Sequence, residues 1–227
     1  GKQLRQLVRG RVLDDRASRL LYSSDGSIYR IVPALVVQPV DVDDVVRTIL
    51  FAGEMQLPVA GRGAGTGLAG EALTSGIVID FTKFMTSIES GEEELPHVAV
   101  QPGTILNRIN HTFASAGWAF GPDPASASRA TVGGALGNNA TGAHSLKYGY
   151  TADHVEALEI VLPSGKVMEI DRTAKNELTT ELHRMLASTQ RRGAWGERMA
   201  EDVLRLAGLQ EGVNYVKQSA AAAESGK

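Results

Sequence analysis

The strongest constraint on the fold is the stretch GRGAGTGLAG at residues 61–70, in which five of ten positions are glycine. The apolar segment LPVA at 57–60 precedes it and GIVIDF at 76–81 follows it, and both predict buried strands. Only EALTSG separates the last glycine of the stretch from IVID. A helix has no room there, because a helical crossover between parallel strands takes at least about 10–12 residues. We therefore predict a strand, a glycine-rich loop and a second strand.

Two nucleotide-binding loops compete for this stretch. A Walker A loop needs a lysine directly after its last glycine, and the first lysine beyond Gly61 is Lys83. Residues 65–70 match G-x-G-x-x-G, but a Rossmann turn must open a helix. A third interpretation is a nest of main-chain N–H groups around an anion, since glycine lets a diphosphate approach the backbone. Arg62 either adds charge to such a nest or points to solvent, and a plain glycine-rich turn stays open.

A second unusual segment, GPDPASASRATVGGALGNNATGAHSLKYGY, occupies residues 121–150. It is rich in glycine and alanine and poor in large apolar residues, so we predict a long functional loop without a core of its own. Pro122 and Pro124 indicate a held shape. Asn138 and Asn139 offer amide donors and acceptors, which suit the heteroatoms of a flat heterocycle.

Two segments have the apolar period of helices. Residues 41–56 predict a helix capped by Asp41, with a stripe formed by Val42, Val45, Val46, Ile49 and Leu50. Residues 104–117 predict a second helix that ends at Gly117 and presents Ile105, Ile109 and Phe113 on one face. Two further amphipathic helices follow residue 176, so we predict a domain boundary near 171–176.

Extended structure is predicted at 31–39 and 97–103. Residues 155–170 predict a hairpin that turns at 163–165, where the sequence is Pro-Ser-Gly. Trp118 and Phe120 are expected in the core. Asp153 is expected to cap or start an element rather than to act as a base, because it lies in a loop setting.

Composition excludes several classes of site. The chain has no cysteine, which rules out disulfides, thiolate metal sites and iron–sulfur ligation within it, and no metal site is predicted. A net charge of −3 gives no general attraction to nucleic acid. No apolar run reaches the roughly 20 residues that span a bilayer, and the first residues lack a signal-peptide core. We expect a cytoplasmic chain without a membrane span.

The paired segments VAGRGAGTGLAG and PDPASASRATVGGALGNNATGAHSLKYGYTADHVEALEIVLPSG resemble the FAD-binding domain of the vanillyl-alcohol-oxidase superfamily. Within it they are most similar to the group of glycolate oxidases, D-lactate dehydrogenases and D-2-hydroxyglutarate dehydrogenases. The resemblance runs from Tyr22 to Ile170. It implies an α+β, two-subdomain FAD-binding type-4 (PCMH-like) fold over residues 1–170, with a break near 96–104, followed by a helical tail over 171–227.

The resemblance also implies a cofactor site. The loop that would wrap the FAD pyrophosphate comprises Gly61, Arg62, Gly63, Ala64, Gly65, Thr66, Gly67 and Leu68. The positions implied along the flavin and its ribityl chain are Pro122, Asp123, Ser126 and Thr131. Those implied to pass close to the cofactor are Gly133, Gly134, Asn138, Asn139, Gly142 and, by its backbone at the adenine end, Val155. Non-covalent FAD is expected, because no histidine lies in the 61–70 loop and His144 is interpreted as a surface residue or a contact near the flavin.

The activity implied by the resemblance is oxidation of a small 2-hydroxy acid by hydride transfer to flavin N5. Its electron-transfer partner would be an iron–sulfur module or subunit, because NNATGAHS is similar to the long bacterial members that carry one. The catalytic base and the carboxylate-binding arginines come from a following domain in the family, so no catalytic residue is identified. A sugar-nucleotide reductase of the MurB type, which shares the fold, is a weaker alternative.

Residues 182–218 resemble the opening of the nuclease-like domain of the RmuC DNA-recombination proteins, through RGAWGE and LAGLQEGVNY. Two alternatives follow for the tail. It forms a helical pair packed on the flavin domain, or it makes the chain a non-catalytic FAD-binding or DNA-interacting module.

Overall fold

The computed structural model describes residues 1–89 and 97–171, and the fold is α+β, as predicted. Its main sheet contains β1 (Arg11–Leu13), β2 (Leu35–Gln38), β3 (Val59–Arg62) and β4 (Ile77–Asp80) in the order β1-β2-β4-β3. β2, β4 and β3 run parallel, and β1 pairs antiparallel with β2. Three helices accompany the sheet: α1 (Lys2–Leu7), α2 (Arg16–Leu21) and α3 (Val42–Glu54).

Helix α3 begins where predicted, because the Asp41 side chain accepts a hydrogen bond from the Asp44 main-chain N–H at 3.0 Å. The predicted stripe is partly wrong. Leu50 is 43% exposed, whereas Asp44 and Thr48 are buried. Asp44 can be buried because its carboxylate accepts hydrogen bonds from the main-chain N–H groups of residues 9, 10 and 40. The hydrophobic pattern of a helix cannot predict that main-chain N–H groups from another segment will bond to one of its carboxylates.

The core of this part lies on the two central strands. Every residue of β2 and β4 is buried, and Val36, Val37, Ile77 and Val78 are fully enclosed. The prediction of a buried strand at 57–60 is wrong in both position and burial. β3 begins at Val59, which is 40% exposed, because β4 inserts between β2 and β3 and leaves β3 at the edge.

The connection from β3 to β4 confirms the predicted order of strand, glycine-rich loop and strand. Residues 63–76 contain turns, bends and irregular backbone, and no helix occurs within this described connection. β3 and β4 are nevertheless parallel neighbours, with Val59 level with Ile77. A Rossmann turn is therefore excluded, since it would place a helix directly after the glycines.

The remaining described residues form smaller elements. A two-stranded pair joins β5 (Ile88–Glu89) to β6 (Ala99–Val100), so the strand predicted at 97–103 is much shorter than expected. Helix α4 (Leu106–Phe113) continues into a short 3-10 turn that ends at Gly117, whose φ of 76° is left-handed, as predicted. The predicted hairpin is confirmed as β7 (Ala157–Val161) paired antiparallel with β8 (Val167–Asp171).

Two side-chain predictions in this part are wrong. Helix α4 is buried through Leu106, while Ile105 is exposed because it forms the N-cap before the first turn. Trp118 is 57% exposed and does not belong to the core, unlike Phe120, which packs against a second buried cluster. Sequence hydrophobicity alone overestimates the burial of a large aromatic residue beside a helix end.

The 121–150 segment does build a core, contrary to prediction. It contains α5 (Val132–Gly137) and α6 (Ser145–Tyr148), and its buried alanines, Ala127, Ala130 and Ala135, pack around Leu106. Alanine side chains are small enough for the main chain to approach closely, so a single leucine completes this cluster.

No helix in the described ranges is long and apolar enough to cross a bilayer. The described residues end at Asp171, the last residue of β8. Three predictions therefore lie outside them: the tail helices, the RmuC-like segment at 182–218 and the boundary near 171–176. The predicted break near 96–104 stays a prediction.

Candidate cofactor site

Three polar residues meet at one edge of the main sheet. Because β2, β4 and β3 are parallel, their carboxyl ends lie together. Arg62 is the register partner of Asp80, and Gln38 follows Val37, which pairs with Ile79, so Gln38 is also level with Asp80. The glycine loop begins directly after this row. The glycine loop therefore begins at the carboxyl ends of the parallel strands, next to these three polar side chains.

Asp80 is the centre of a buried hydrogen-bond network. Its Oδ2 accepts from the Tyr22 hydroxyl at 2.6 Å and from Gln38 Nε2 at 3.0 Å. Its Oδ1 accepts from the Thr82 main-chain N–H at 2.9 Å and from the Thr82 hydroxyl at 2.6 Å. Burial, with the hydrogen bond to Asp80, raises the pKa of Tyr22 to about 12. Tyr22 is thus a neutral donor at physiological pH.

Arg62 folds back under the glycine loop rather than pointing to solvent. Its Nη2 donates to the Ser24 carbonyl at 2.9 Å, and its guanidinium lies 5.4 Å from the centre of the Tyr22 ring. A Cβ added at Gly65 would lie 2.5 Å from Nη2, so the loop passes directly over the guanidinium. Within the described residues, the buried Nη1 atom has no hydrogen-bond partner. This nitrogen is therefore a buried donor that no described group satisfies.

The loop itself offers a row of free donors. Gly65 has a left-handed φ of 68°, and its carbonyl accepts from the Gly26 N–H at 2.9 Å, which fixes the turn. The main-chain N–H groups from Gly63 to Leu68 donate no hydrogen bond to any described residue. Such a run of unpartnered amides matches the nest interpretation of this sequence.

One side of the loop is open and the other is not. A Cβ at Gly61 would meet only Phe81 Cε2, at an ordinary 3.5 Å. At Gly67, in contrast, the added Cβ would overlap the Glu71 carboxylate, whose Oε2 accepts from the Ala69 N–H at 3.2 Å. A negative charge thus lies beside the row of donors.

The two predicted motifs are in direct contact. A Cβ added at Gly63 would lie 2.1 Å from Thr131 Oγ1. Thr131 is buried and caps α5, since its hydroxyl oxygen accepts from the Gly134 N–H at 3.3 Å. The structure therefore brings the glycine loop and the start of α5 within reach of one extended ligand.

The segment before α5 lines an open cleft of about 360 Å³ beside Asp123, Pro124 and Gly142. Pro122 is buried, and Asp123 has a left-handed φ of 50°. The Asp123 carboxylate lies 3.6 Å from Nδ1 of His144, whose side chain is 59% exposed. His144 is therefore exposed, in agreement with the first of its two interpretations, a surface residue.

Other predicted site residues make internal contacts. Ser126 lies in the turn before α5, and its carbonyl accepts from the Ala130 N–H at 2.7 Å. Added Cβ atoms at Gly133 and Gly142 would overlap Pro102 and the Asp123 carbonyl. Asn139 is buried, and its Oδ1 accepts from the Ala152 N–H at 2.8 Å. These residues shape the second motif from within.

Three further residues complete the description of the predicted site. Asn138 is exposed and donates through Nδ2 to the Gly134 carbonyl at 3.1 Å. Val155 ends a 3-10 helix at Thr151–His154. Asp153 caps that helix, because its carboxylate accepts from the Tyr150 N–H at 2.8 Å, and this confirms the capping prediction.

Sequence reasoning missed the network below the loop. Gln38 and Asp80 each close a run of buried apolar strand residues, and a single polar residue at the end of such a run is the signal that identifies them. Nothing in the sequence around Tyr22 indicates that its hydroxyl reaches Asp80, which is far away in the chain.

Comparison with known proteins provides relatives for most of the chain. A D-2-hydroxyglutarate dehydrogenase of Pseudomonas putida is 39% identical over 161 residues, which is 70% of this chain and 16% of that protein. The glycolate oxidase subunit GlcD of Bacillus subtilis is 33% identical over 180 residues, which is 78% of this chain and 38% of that protein. The chain thus spans less than two-fifths of the length of these relatives.

The fold also matches solved structures. The 6-hydroxy-D-nicotine oxidase of Arthrobacter nicotinovorans superposes with a TM-score of 0.66 at 24% identity, over 76% of this chain and 38% of the oxidase. The RmuC family matches residues 153–227, in agreement with the resemblance of the tail. The FAD binding domain family matches residues 33–171, which is more than half of the chain. The resemblance of the two glycine-bearing motifs is therefore confirmed, and the chain belongs to the FAD binding domain family.

Proposed function

We propose that this chain binds FAD non-covalently, as the cofactor-binding part of an oxidoreductase that oxidises a small 2-hydroxy acid. The observation that supports this most is the run of unpartnered N–H groups from Gly63 to Leu68. These donors, with the positive charge of Arg62 under the loop at Gly65, suit the oxygens of a diphosphate. The open side of Gly61 leaves space for close approach of the ligand.

The second motif is proposed to lie along the rest of the cofactor. Pro122, Asp123, Ser126 and Thr131 would follow the flavin and its ribityl chain, and Val155 the adenine end. Support comes from the contact between Gly63 and Thr131, which joins the two motifs. For Gly133, Asn139 and Gly142 we propose an indirect contribution, since their contacts within the protein hold the shape of this wall. Gly134 and Asn138 would pass close to the cofactor.

Bound FAD would supply flavin N5 as the acceptor of the hydride from the substrate α-carbon. The substrate is of the glycolate, D-lactate or D-2-hydroxyglutarate type, and the names of the two relatives reported above support glycolate and D-2-hydroxyglutarate. We further propose that the catalytic base, the carboxylate-binding groups and the electron-transfer partner belong to portions that the relatives have and this chain does not match. The division of residues 1–170 into two subdomains and a cytoplasmic location belong to the same proposal.

The test is a titration of the purified chain with FAD, followed by the absorbance and fluorescence of the flavin. We expect one FAD per chain with a Kd on the order of micromolar or below. FMN lacks the diphosphate linkage and should bind at least about tenfold more weakly. Acid precipitation should release all flavin into the supernatant, because the attachment is non-covalent. A chain that binds neither FAD nor FMN would contradict the proposal.

A second candidate function rests on the RmuC family match at residues 153–227. In it, the tail makes the chain a DNA-interacting module. It predicts DNA binding that weakens steeply with salt and disappears when residues 176–227 are deleted. DNA affinity that survives this deletion would remove the candidate.

A further inference from the structure

Arg62 and Asp80 lie side by side without pairing. They are register partners at the ends of neighbouring strands, where opposite charges normally attract. Within the described ranges, the ion pairs of the protein involve other residues, and none joins these two. Arg62, which lies under the glycine loop, therefore forms no ion pair with Asp80, its register partner on the sheet.

The hydrogen bonds of Asp80 explain this arrangement. Each of its carboxylate oxygens accepts two hydrogen bonds, and all the donors are neutral groups of Tyr22, Gln38 and Thr82. A carboxylate satisfied in this way offers no free lone pair in the direction of Arg62. The guanidinium turns instead to the Ser24 carbonyl and the Tyr22 ring, neither of which cancels its charge.

We propose that Tyr22 is a positioning residue for FAD binding, which keeps Arg62 away from Asp80 and under the 63–68 loop. The proposal rests on the proposed function. The Tyr22 hydroxyl occupies Asp80 Oδ2, and its ring provides a face for the guanidinium. A single side chain thus blocks the competing ion pair and supports the productive position of the cation. The positive charge behind the loop then stabilises the diphosphate held by the main-chain amides.

Two other acidic residues, Asp25 and Glu71, lie close to the segments that surround the Arg62 guanidinium. Asp25 follows the Ser24 carbonyl that holds Arg62, but its Oδ1 accepts from the Ser27 N–H at 2.8 Å and it forms no described ion pair. Glu71 lies against Gly67 on the loop and accepts from Ala69. Asp25 Oδ2 is buried without a hydrogen-bond partner, and neither acidic residue forms a described ion pair with Arg62.

The experiment is a double-mutant cycle with Tyr22→Phe and Arg62→Met, in which the Kd for FAD is measured by fluorescence. Tyr22→Phe keeps the ring but frees Asp80 to attract Arg62. We expect it to raise the Kd about fivefold and Arg62→Met to raise it about tenfold. The double variant should match Arg62→Met, because Tyr22 acts only through Arg62. Displacement of FAD by inorganic pyrophosphate should weaken in parallel.

Tyr29→Phe is the matched control. The Tyr29 ring packs on Gly70 beside the same loop, but its hydroxyl makes no hydrogen bond among the described residues. The Kd of the Tyr29→Phe variant for FAD should equal that of the unaltered chain. Thermal unfolding of every variant separates loss of binding from loss of fold. If Tyr22→Phe does not fold, Thr82→Val serves instead, because it removes one donor from Asp80 Oδ1 and should show the same dependence on Arg62.

Equal effects of Tyr22→Phe with and without Arg62 would overturn the inference, as would an unchanged Kd in Tyr22→Phe. Both results differ from failure of the proposed function, in which the unaltered chain itself binds no FAD.

Discussion

The two glycine-bearing segments of the site use the same residue type in different ways. In the 61–70 loop, a Cβ at Gly61 would meet only Phe81 Cε2 at 3.5 Å, whereas those at Gly63, Gly65 and Gly67 would overlap side chains of the protein. In the 121–150 segment, Gly133 and Gly142 lie where an added Cβ would overlap Pro102 or the Asp123 carbonyl. The first segment thus packs its glycines against side chains and leaves room only at Gly61, and the second brings protein backbones together at Gly133 and Gly142. A glycine in a motif therefore does not show by itself whether a ligand or another part of the protein lies close to it.

The two segments also differ in how their main-chain N–H groups are hydrogen-bonded. The amides from Gly63 to Leu68 have no described partner, whereas many of those in the second segment bond to carbonyls of the protein, such as Asn139 N–H to Leu136 and Ala143 N–H to Asp123. The second segment supports its own shape, while the first has donors left over for an acceptor. Substitutions should accordingly affect binding in one segment and stability in the other.

The largest effect is expected from Gly142→Ala. Its Cβ would lie 1.9 Å from the Asp123 carbonyl oxygen, so the backbone must shift. We expect the free energy of unfolding to fall by about 3 kcal/mol, measured by urea denaturation. Gly137→Ala, in α5 with no atom within 4 Å of the new Cβ, is the control and should be neutral or raise stability by up to about 1 kcal/mol. Equal stability of the two variants would break the comparison.

Gly61→Ala tests the other segment. The new methyl group fits the protein, since its nearest contact is Phe81 Cε2 at 3.5 Å, but it enters the side proposed to face the ligand. We expect the Kd for FAD to rise about tenfold, or about 1.4 kcal/mol, with an unchanged unfolding temperature. A loss of stability without a change in Kd would reverse the assignment of this glycine.

Thr131→Ala acts where the segments meet. It removes the N-cap hydroxyl of α5 and the atom closest to Gly63, so both stability and FAD affinity should fall. We expect a loss of about 1 kcal/mol in unfolding free energy by thermal denaturation. Thr131→Ser keeps the hydroxyl and should retain most of both properties. If the alanine variant loses stability but binds FAD normally, the two segments are energetically separate.

The smallest effect is expected from Glu71→Gln. It removes a negative charge beside Gly67 while keeping an oxygen that can accept from Ala69. The Kd for FAD should fall about twofold to threefold at low salt, because one repulsion with the diphosphate is lost. The gain should shrink as ionic strength rises, which a titration in about 0.5 M salt would reveal. A salt-independent gain would point to packing instead of charge.

Local signals account for the parts of the fold that the sequence predicts. Asp41 caps α3 through its own side chain, the Pro-Ser-Gly turn closes the β7–β8 hairpin, and the short connection after Gly70 leaves no room for a helix. Each of these depends on residues close in the chain, so composition and spacing are sufficient to predict them.

The errors involve partners that are distant in the chain. β3 is exposed because β4 takes the central position, and Asp44 is buried because the main chain near Gly10 supplies donors. The alanine core of the second segment depends on Leu106, which belongs to another helix. In the site, the loop was predictable from its glycines, but the network that orients Arg62 requires Tyr22 and Asp80 to meet through the tertiary fold.

The insertion of β4 between β2 and β3 has a consequence for how the chain reaches its native state. During synthesis β2 and β3 emerge first, yet neither can bond to the other, because the strand that joins them has not been made. The glycine segment must cross before the sheet can close, so its flexibility sets part of the search for the correct register. The segment proposed to bind phosphate is thereby also the connection that must be in place before the three parallel strands can pair.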